Sequence, residues 1–489
     1  MDNYIGIDLG TSALKALLVR EDGEIIAKAS VPYDCSHPHK YWSEQDPSLW
    51  LSACKQAIRD LIAVSENHEV RAIGIAGQMH GLVMLDEKDN VLRPAILWND
   101  GRSQEETDYL NTVIGKEKLT ELTGNIAFAG FTAPKILWVE KNEPETFKKC
   151  KKIMLPKDYL VYMLSGAFTT DVSDASGFLL LDVKNRKYSK EMLDICHITE
   201  EMLPEMHESA DVVGKMKPEI AEELGVKGEV ALIAGAGDNA GSAIGTGTIG
   251  EGKCNISLGT SGTIFISSAH FCEDKKNALH SFCDASGAYH LLGCTLSAAS
   301  ARKWWLEQIR ETEDFAKDEL DVKAAGKKET DVFFMPYLSG ERSPYNDVNV
   351  RAAFLGLDAT TTKADMSRAV MEGVAFSLKD CLDAAKEDGA CPKVATISGG
   401  GFRSEEWCQI FADIFEMPLS KLQGNEGPSF GGAILAMVGD GKYPNCDVAA
   451  KKIVSVAKCY IPNEKKFAYY RKKHAKYKSI YPLIKQLED

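Results

Sequence analysis

Gly6-Ile7-Asp8-Leu9-Gly10-Thr11-Ser12 decides the reading of this chain, because its Leu-Gly-Thr-Ser core returns near mid-chain as Leu258-Gly259-Thr260-Ser261-Gly262. Tyr4 to Leu9 reads as a strand, Gly10-Thr11-Ser12 as a tight turn, and Leu14 to Val19 as the strand coming back. Cys254 to Leu258 and Thr263 to Ser267 repeat that order around the second turn, so two similar hairpins are expected to open two similar halves. Glycine lets such a turn bring backbone N–H groups close to an anion, and the neighbouring hydroxyls add donors. A single Gly-Thr-Ser is a common surface turn. The duplication, with Asp8 ahead of the first copy, points to a polyphosphate gripped from two sides.

Outward from the first hairpin, Glu21-Asp22-Gly23-Glu24 makes a turn into a third strand, Ile25 to Val31. Asp46-Pro47 then reads as an N-cap and first helical residue, and Trp50, Ala53, Cys54, Ala57, Ile58, Leu61 and Ile62 fall on one helical stripe. The strand Val70 to Ala76 ends in Gly77-Gln78-Met79-His80-Gly81, and a loop at a strand's carboxyl end is a ligand position in α/β folds. Val83 to Leu85 and Ala95 to Trp98 continue the strand pattern. From Glu105 to about Met206 the pattern is mainly helical, clearest over Pro134 to Glu140 and Lys157 to Leu164. Phe128, Phe131, Trp138 and Tyr159 in this stretch include candidates for a sugar-packing face, although each alone reads more simply as core. Val230 to Ala234 is a strand, and Gly235-Ala236-Gly237-Asp238-Asn239 leads into a small-residue helix, Ala240 to Ile244, with Asp238 at its start.

Gly245 to Gly250 fits a dinucleotide glycine spacing and Gly247 to Lys253 a phosphate-loop spacing. Both lack their context. The first follows a helix and precedes a strand, and the second has Cys254 where a magnesium-binding hydroxyl is needed. Gly245 to Gly252 therefore reads as the connection between domains 1–246 and 247–489. After the second hairpin come strands Leu279 to Cys283 and Tyr289 to Cys294, a helix Ser297 to Gln308, and a solvated amphipathic helix within Glu311 to Lys328. The loop Pro336-Tyr337-Leu338-Ser339-Gly340-Glu341-Arg342-Ser343-Pro344 carries an acid and a base, and a long helix spans Lys363 to about Glu387. Ser398-Gly399-Gly400-Gly401 joins the strand Val394 to Ile397 to the helix Glu405 to Phe415. Such a turn suits either a flat base or α-phosphate, or simply close packing. Pro428 to Met437 is a glycine and alanine packing segment. The lysine-rich tail from Gly439 reads as helical and carries no assigned chemistry.

Composition excludes several classes. With 44% hydrophobic and 26% charged residues over 489, the chain is a globular protein of two or more domains. Its longest apolar runs are too short to span a bilayer, and a strand begins at once at the N-terminus, so no membrane role and a cytoplasmic location are expected. Thirteen scattered cysteines without a Cys-x-x-Cys pair suit a reducing compartment. A net charge of −14 works against nucleic-acid binding. Small-molecule chemistry is the default.

Taken together, Ile5 to Ser12, Ile75 to Gly81, Trp98 to Arg102, Gly130 to Lys135, Leu155 to Tyr159, Gly237 to Asn239, Ser257 to Gly262, Pro336 to Arg342 and Ser398 to Gly401 resemble the FGGY carbohydrate kinases, the bacterial xylulose kinases above all. The resemblance runs over residues 4 to 440 and implies two actin-like, ribonuclease-H-like α/β domains with a ligand cleft between them. It implies ATP and Mg2+, a ketopentose acceptor such as D-xylulose, and leaves a homodimer open. It carries the catalytic base onto Asp238 and the magnesium-holding acid onto Asp8. Thr11, Ser12 and Thr260 fall on its phosphate-loop positions, and Gly400, Gly401 and Ser404 on its adenosine motif. Met79 and His80 match its sugar-contacting pair, with Asn239 a further hydroxyl partner. Gly130 departs from relatives that carry a sugar-binding arginine there. The helix start is expected to keep Asp238 ionised and weakly basic. A kinase for another ketopentose such as ribulose, an actin-like ATP switch and, more remotely, a dinucleotide dehydrogenase remain as alternatives.

Overall fold

The computed structural model describes residues 1–64, 69–325, 329–424 and 426–487. Two mixed sheets carry the architecture. In the first, the strands are β1 (Asn3–Leu9), β2 (Ala13–Arg20), β3 (Ile25–Pro32), β4 (Ala72–Gly77), β5 (Val212–Lys215) and β6 (Ala231–Ile233), in spatial order β5-β6-β4-β1-β2-β3, with a short β7 (Ala236–Gly237) also beside β4. The second comprises β8 (Lys253–Leu258), β9 (Gly262–Ser268), β10 (His280–Cys283), β11 (Tyr289–Thr295), β12 (Val394–Ser398), β13 (Leu419–Leu422) and β14 (Val456–Tyr460), in order β10-β11-β9-β8-β12-β13-β14.

The two orders superpose term by term, β10 being an addition. Each hairpin is antiparallel, β1 with β2 and β8 with β9. Each opening strand pairs in parallel with a later one, β4 or β12. A further parallel strand follows, β6 or β13, and an antiparallel edge strand closes the set, β5 or β14. The duplicated turns are thus the start of a duplicated sheet, as the actin-like expectation requires.

The sequence signals set the elements as physics demands. Helix α1 (Pro47–Ala63) starts where the Asp46 side chain accepts from the Ser48 N–H at 2.9 Å, and its predicted stripe from Trp50 to Ile62 is buried. Helix α2 (Pro156–Ser165) packs beneath the first sheet, and α3 (Asp238–Gly245) leaves directly from β7. Helix α4 (Lys363–Glu387) opens with a reciprocal cap between Thr362 and Asp365 and backs the second sheet. Helix α5 (Glu405–Phe415) starts at Ser404, whose hydroxyl accepts from the Trp407 N–H at 3.2 Å. The solvated helix of the polar stretch spans Phe315–Ala325, and the end of that predicted segment, 326–328, lies outside the described residues.

The small-residue segment Pro428 to Met437 is part of helix α6 (Gly427–Gly439), which comes from the second half of the chain yet lies against β1 and β4 of the first sheet. Its approach is possible only without side chains. A Cβ on Gly6 would stand 1.9 Å from the Ser429 carbonyl oxygen, one on Gly74 2.1 Å from that of Gly432, and one on Gly431 1.8 Å from that of Gly241 in α3. Helices α3 and α6 therefore cross at backbone contact, and van der Waals packing there is as dense as the chain allows. The connection that follows α3 turns on Gly247, Gly250 and Gly252, all at positive φ.

The tail is not purely helical. Val456 to Tyr460 forms β14, an edge strand exposed at four of its five positions, so no apolar alternation betrays it in the sequence. The helix predicted over Ser297 to Gln308 is α-helical only over Ala299–Trp304 and widens into a π-helical turn over Trp305–Ile309.

Candidate active site

Asp8 and Ala236 stand level on either side of β4, both registered with Ala76, and Asp238 follows Ala236 by two residues. The two acids therefore sit at the carboxyl ends of strands that flank one neighbour, with sites about 10 Å apart across the sheet. Burial, and next the charge of Asp238, push the Asp8 carboxyl up to about 7. Burial also lifts Asp238, to about 6, although the Asn239 N–H (2.8 Å) and Asn239 Nδ2 (3.0 Å) both donate to its Oδ1. This corrects the expectation drawn from the helix start: desolvation outweighs the helix end, and Asp238 is a stronger base than a surface aspartate.

Asp8 and Asp238 are hard oxygen donors facing each other's field, the chemistry that suits a cation holding few protein ligands and completing its shell with water and phosphate. Among the described residues there is no cluster of three or more metal-type ligands.

The Gln78-Met79-His80 loop lies beside Asp238. Met79 is buried, and its Sδ would be 3.0 Å from a Cβ on Gly237, the residue preceding Asp238. His80 adopts φ 68°, and its Nδ1 donates to the Gly177 carbonyl at 2.9 Å, leaving Nε2 as an acceptor. Burial presses the His80 pKa down to about 3, so the ring is neutral. It stacks on Phe131 with centroids 4.6 Å apart, and Phe131 in turn meets Phe128, His280 and Phe282. Of the four aromatic candidates, Phe128 and Phe131 belong to this wall. Trp138 instead packs among Arg93, Arg102 and Trp42, and Tyr159 is core under the first sheet.

The hairpin turns differ in what they leave available. Thr11 Oγ1 donates to Gln78 Oε1 at 3.0 Å and accepts from Trp98 Nε1 at 2.9 Å, tying the turn to the Gln78-Met79-His80 loop. Ser12 and Thr260 are exposed, and their hydroxyls have no partner among the described residues. Asn239, expected to meet a sugar hydroxyl, has its amide N–H turned onto Asp238. Gly400, Gly401 and Ser404 line a cavity of about 490 Å³ with Ala299, Arg302 and Phe315. Gly399 must be glycine, since at φ 89° a Cβ would stand 2.5 Å from the Leu258 carbonyl oxygen, whereas a Cβ on Gly400 would meet nothing within 4 Å.

Residues 3–245 match the N-terminal domain, and residues 254–439 the C-terminal domain, of the FGGY family of carbohydrate kinases. The chain belongs to the FGGY carbohydrate kinases. The xylulose kinase of Escherichia coli is 38% identical over 480 residues, 98% of each chain. The crystal structure of a xyloylose kinase from Brucella ovis aligns with TM-score 0.93 at 37% identity, covering 99% of this chain and 100% of the other. That of a gluconate kinase from Lactobacillus acidophilus aligns with TM-score 0.94 at 28% identity, covering 99% and 98%.

In this FGGY kinase two buried lysines hold the site, and neither was assigned a role from sequence. Lys135 Nζ donates to the carbonyls of His80 and Gly130, both at 2.8 Å, and so fixes the Met79-His80 loop to the loop that faces it. Lys157 Nζ donates to the Ala234 carbonyl at 3.0 Å, just ahead of the turn that delivers Asp238. Burial works against the Lys157 charge, but Asp158 (2.7 Å), Asp171 (3.1 Å) and Asp174 (3.9 Å) overcome it and keep the ammonium. The available signal was a lysine inside each quoted motif, at the apolar start of a helix, where an exposed lysine has no reason to be.

Proposed function

We propose that this carbohydrate kinase transfers the γ-phosphoryl group of ATP to the primary hydroxyl, O5, of D-xylulose. The observation that carries the reading is the placement of the Met79 and His80 loop against Gly237, with the base Asp238 next in the chain and Asp8 across β4. The xylulose kinases among its relatives, similar over nearly the whole chain, support the choice of acceptor. In the reaction the bond from O5 to Pγ forms while the bond from Pγ to the β,γ-bridging oxygen breaks, its electron pair leaving with ADP.

Asp238 orients the hydroxyl and takes its proton as the new bond forms, and its raised pKa makes it a better acceptor for that step. His80, Met79 and Asn239 bind and orient the sugar, the neutral His80 Nε2 accepting from a hydroxyl. Ser12 and Thr260 donate to phosphate oxygens. Thr11 does so only by releasing Gln78, so its main part is to hold the turn on the sugar loop. Gly400, Gly401 and Ser404 form the floor of the adenosine site, with the bare Gly400 leaving room for the base. Mg2+ belongs with Asp8, where it supplies charge neutralisation for the phosphates when bound.

The domains meet at 246/247. No helix among the described residues is long and apolar enough to cross a membrane. Sedimentation decides whether the enzyme is a homodimer. ADP release measured against D-xylulose, D-ribulose, L-ribulose, D-gluconate and glycerol tests the acceptor. D-xylulose should give the highest kcat/KM, and preference for any other member overturns the assignment.

A further inference from the structure

The loop Pro336 to Pro344 has no part in the chemistry above, yet it delivers a charge to the sugar site. Glu341 is buried and its carboxylate is saturated: Thr295 Oγ1 (2.6 Å), the Leu296 N–H (3.0 Å), the Arg342 N–H (2.8 Å) and Ser377 Oγ (3.1 Å) all donate to it. Its neighbour Arg342 is thereby left without the obvious counter-ion. Among the described residues the Arg342 guanidinium has no hydrogen-bond or carboxylate partner, although it is partly buried. It lies over the Phe128 ring, 5.2 Å from the centroid, with Nη2 3.9 Å from where a Cβ on Gly130 would be. No side chain can grow from Gly130 itself, because that Cβ would stand 2.4 Å from the Trp98 carbonyl oxygen. A half-buried cation without a partner costs stability unless an acceptor arrives.

The position of Arg342 follows from a row of contacts. Asp238 adjoins Gly237, Gly237 touches Met79, His80 stacks on Phe131, Phe131 meets Phe128 at 5.5 Å, and Phe128 carries Arg342. The arginine lies beyond Phe128 in this row, several contacts along from Asp238. The histidines on this wall, His80 and His280, are both held neutral, by burial first, with Lys135 and Arg342 adding for His80 and Arg342 for His280, so they place no second cation beside it.

We propose that Arg342, reaching across from the second half of the chain, binds the sugar at its carbonyl end, its planar fork donating to O1 and O2 while Asp238 addresses O5. This rests on the ketopentose reading above and extends it to a specificity residue. A guanidinium suits the task because two parallel N–H groups span two adjacent oxygens, which a lysine cannot do.

Arg342→Met keeps the apolar bulk over Phe128 and removes the fork. It should raise KM for D-xylulose at least about tenfold, the loss expected for a charge-assisted hydrogen bond, with KM for ATP within twofold and melting temperature held. Arg342→Lys should recover only part of the loss. With 1-deoxy-D-xylulose, which lacks the O1 hydroxyl, the same Arg342→Met substitution should cost less than about threefold. Equal losses on the two sugars, or no loss on D-xylulose, overturn the proposal. Should wild-type enzyme prefer another acceptor, the ketopentose reading fails on that result alone, and Arg342 is judged on the preferred acceptor and its analogue lacking the distal oxygen.

Discussion

Asp8 and Asp238 share one neighbour, β4, and the charge of Asp238 adds to burial in raising the Asp8 carboxyl. Two half-buried carboxylates at strand ends on either side of β4 are costly by themselves and useful once a cation and a phosphate arrive. Their separate roles give the first test. Asp238→Asn keeps the shape and removes the proton acceptor, so kcat should fall at least about 10²-fold with ATP and sugar still binding. Asp8→Asn should instead raise the magnesium requirement, with activity partly restored by excess metal. Rescue of Asp238→Asn by magnesium, with Asp8→Asn dead, would reverse the two roles.

The raised acids also set a pH dependence of stability. Asp8 and Asp238 titrate at about 7 and about 6 in the folded chain against an ordinary 3.8, so between those values the folded chain holds protons that the unfolded chain has lost. Stability of the ligand-free enzyme therefore declines as pH rises through that window, and the penalty is complete above about 7. Asp8→Asn should raise the melting temperature of the ligand-free enzyme above that window and leave it unchanged well below pH 3.8, where both acids are neutral in either state. A Tm gain of the same size at both pH values would contradict the origin assigned to it.

Catalysis should show the acidic limb of the same groups. With Asp238 at about 6, kcat/KM for the sugar should fall as pH drops below that value. His80 contributes nothing to this limb, since its ring is already neutral down to about 3. His80→Ala should weaken sugar binding by about 1–3 kcal/mol, leave ATP affinity unchanged, and leave the position of the limb where it was. A limb that moves with the His80 substitution would make the histidine the titrating group.

Glycines separate the binding floor from the packing. Gly400→Val has room to fold, since no atom lies within 4 Å of the new Cβ, but the side chain enters the 490 Å³ cavity. KM for ATP should rise at least about tenfold with the melting temperature retained, a loss worth roughly 1.4 kcal/mol. Gly74→Ala drives a Cβ to 2.1 Å from the Gly432 carbonyl oxygen and should destabilise by about 3 kcal/mol or more. Normal ATP affinity in Gly400→Val would move the adenosine site elsewhere.

Much of this was legible in the sequence because the signals were local. The duplicated Gly-Thr-Ser turns, the Asp46 cap and the stripe from Trp50 to Ile62 each bury or satisfy groups within one element, and each formed where its pattern lies. The strand Val456 to Tyr460 left no trace because an edge strand with one buried residue needs no alternation. The base strength of Asp238 reads too low from the sequence because the helix start is visible there while the desolvation around the carboxyl is not. Lys135, Lys157 and Arg342 were visible as letters. Their meaning depends on carbonyls, carboxylates and a ring brought from distant segments, which no spacing encodes.

Helix α6 makes the first half of the chain wait for the second. Tyr4, Leu17, Val19, Ala72 and Ile233 are buried in one cluster with Ala433, Ile434, Leu435, Ala436 and Met437. A ribosome that has finished β7 at Gly237 still has roughly 190 residues to add before α6 begins at Gly427, which at ~5–20 residues per second takes roughly 10–40 s. Throughout that interval the face of the first sheet opposite α2 lacks the helix that covers it, so completion of the first half's core waits on a segment made near the end of synthesis.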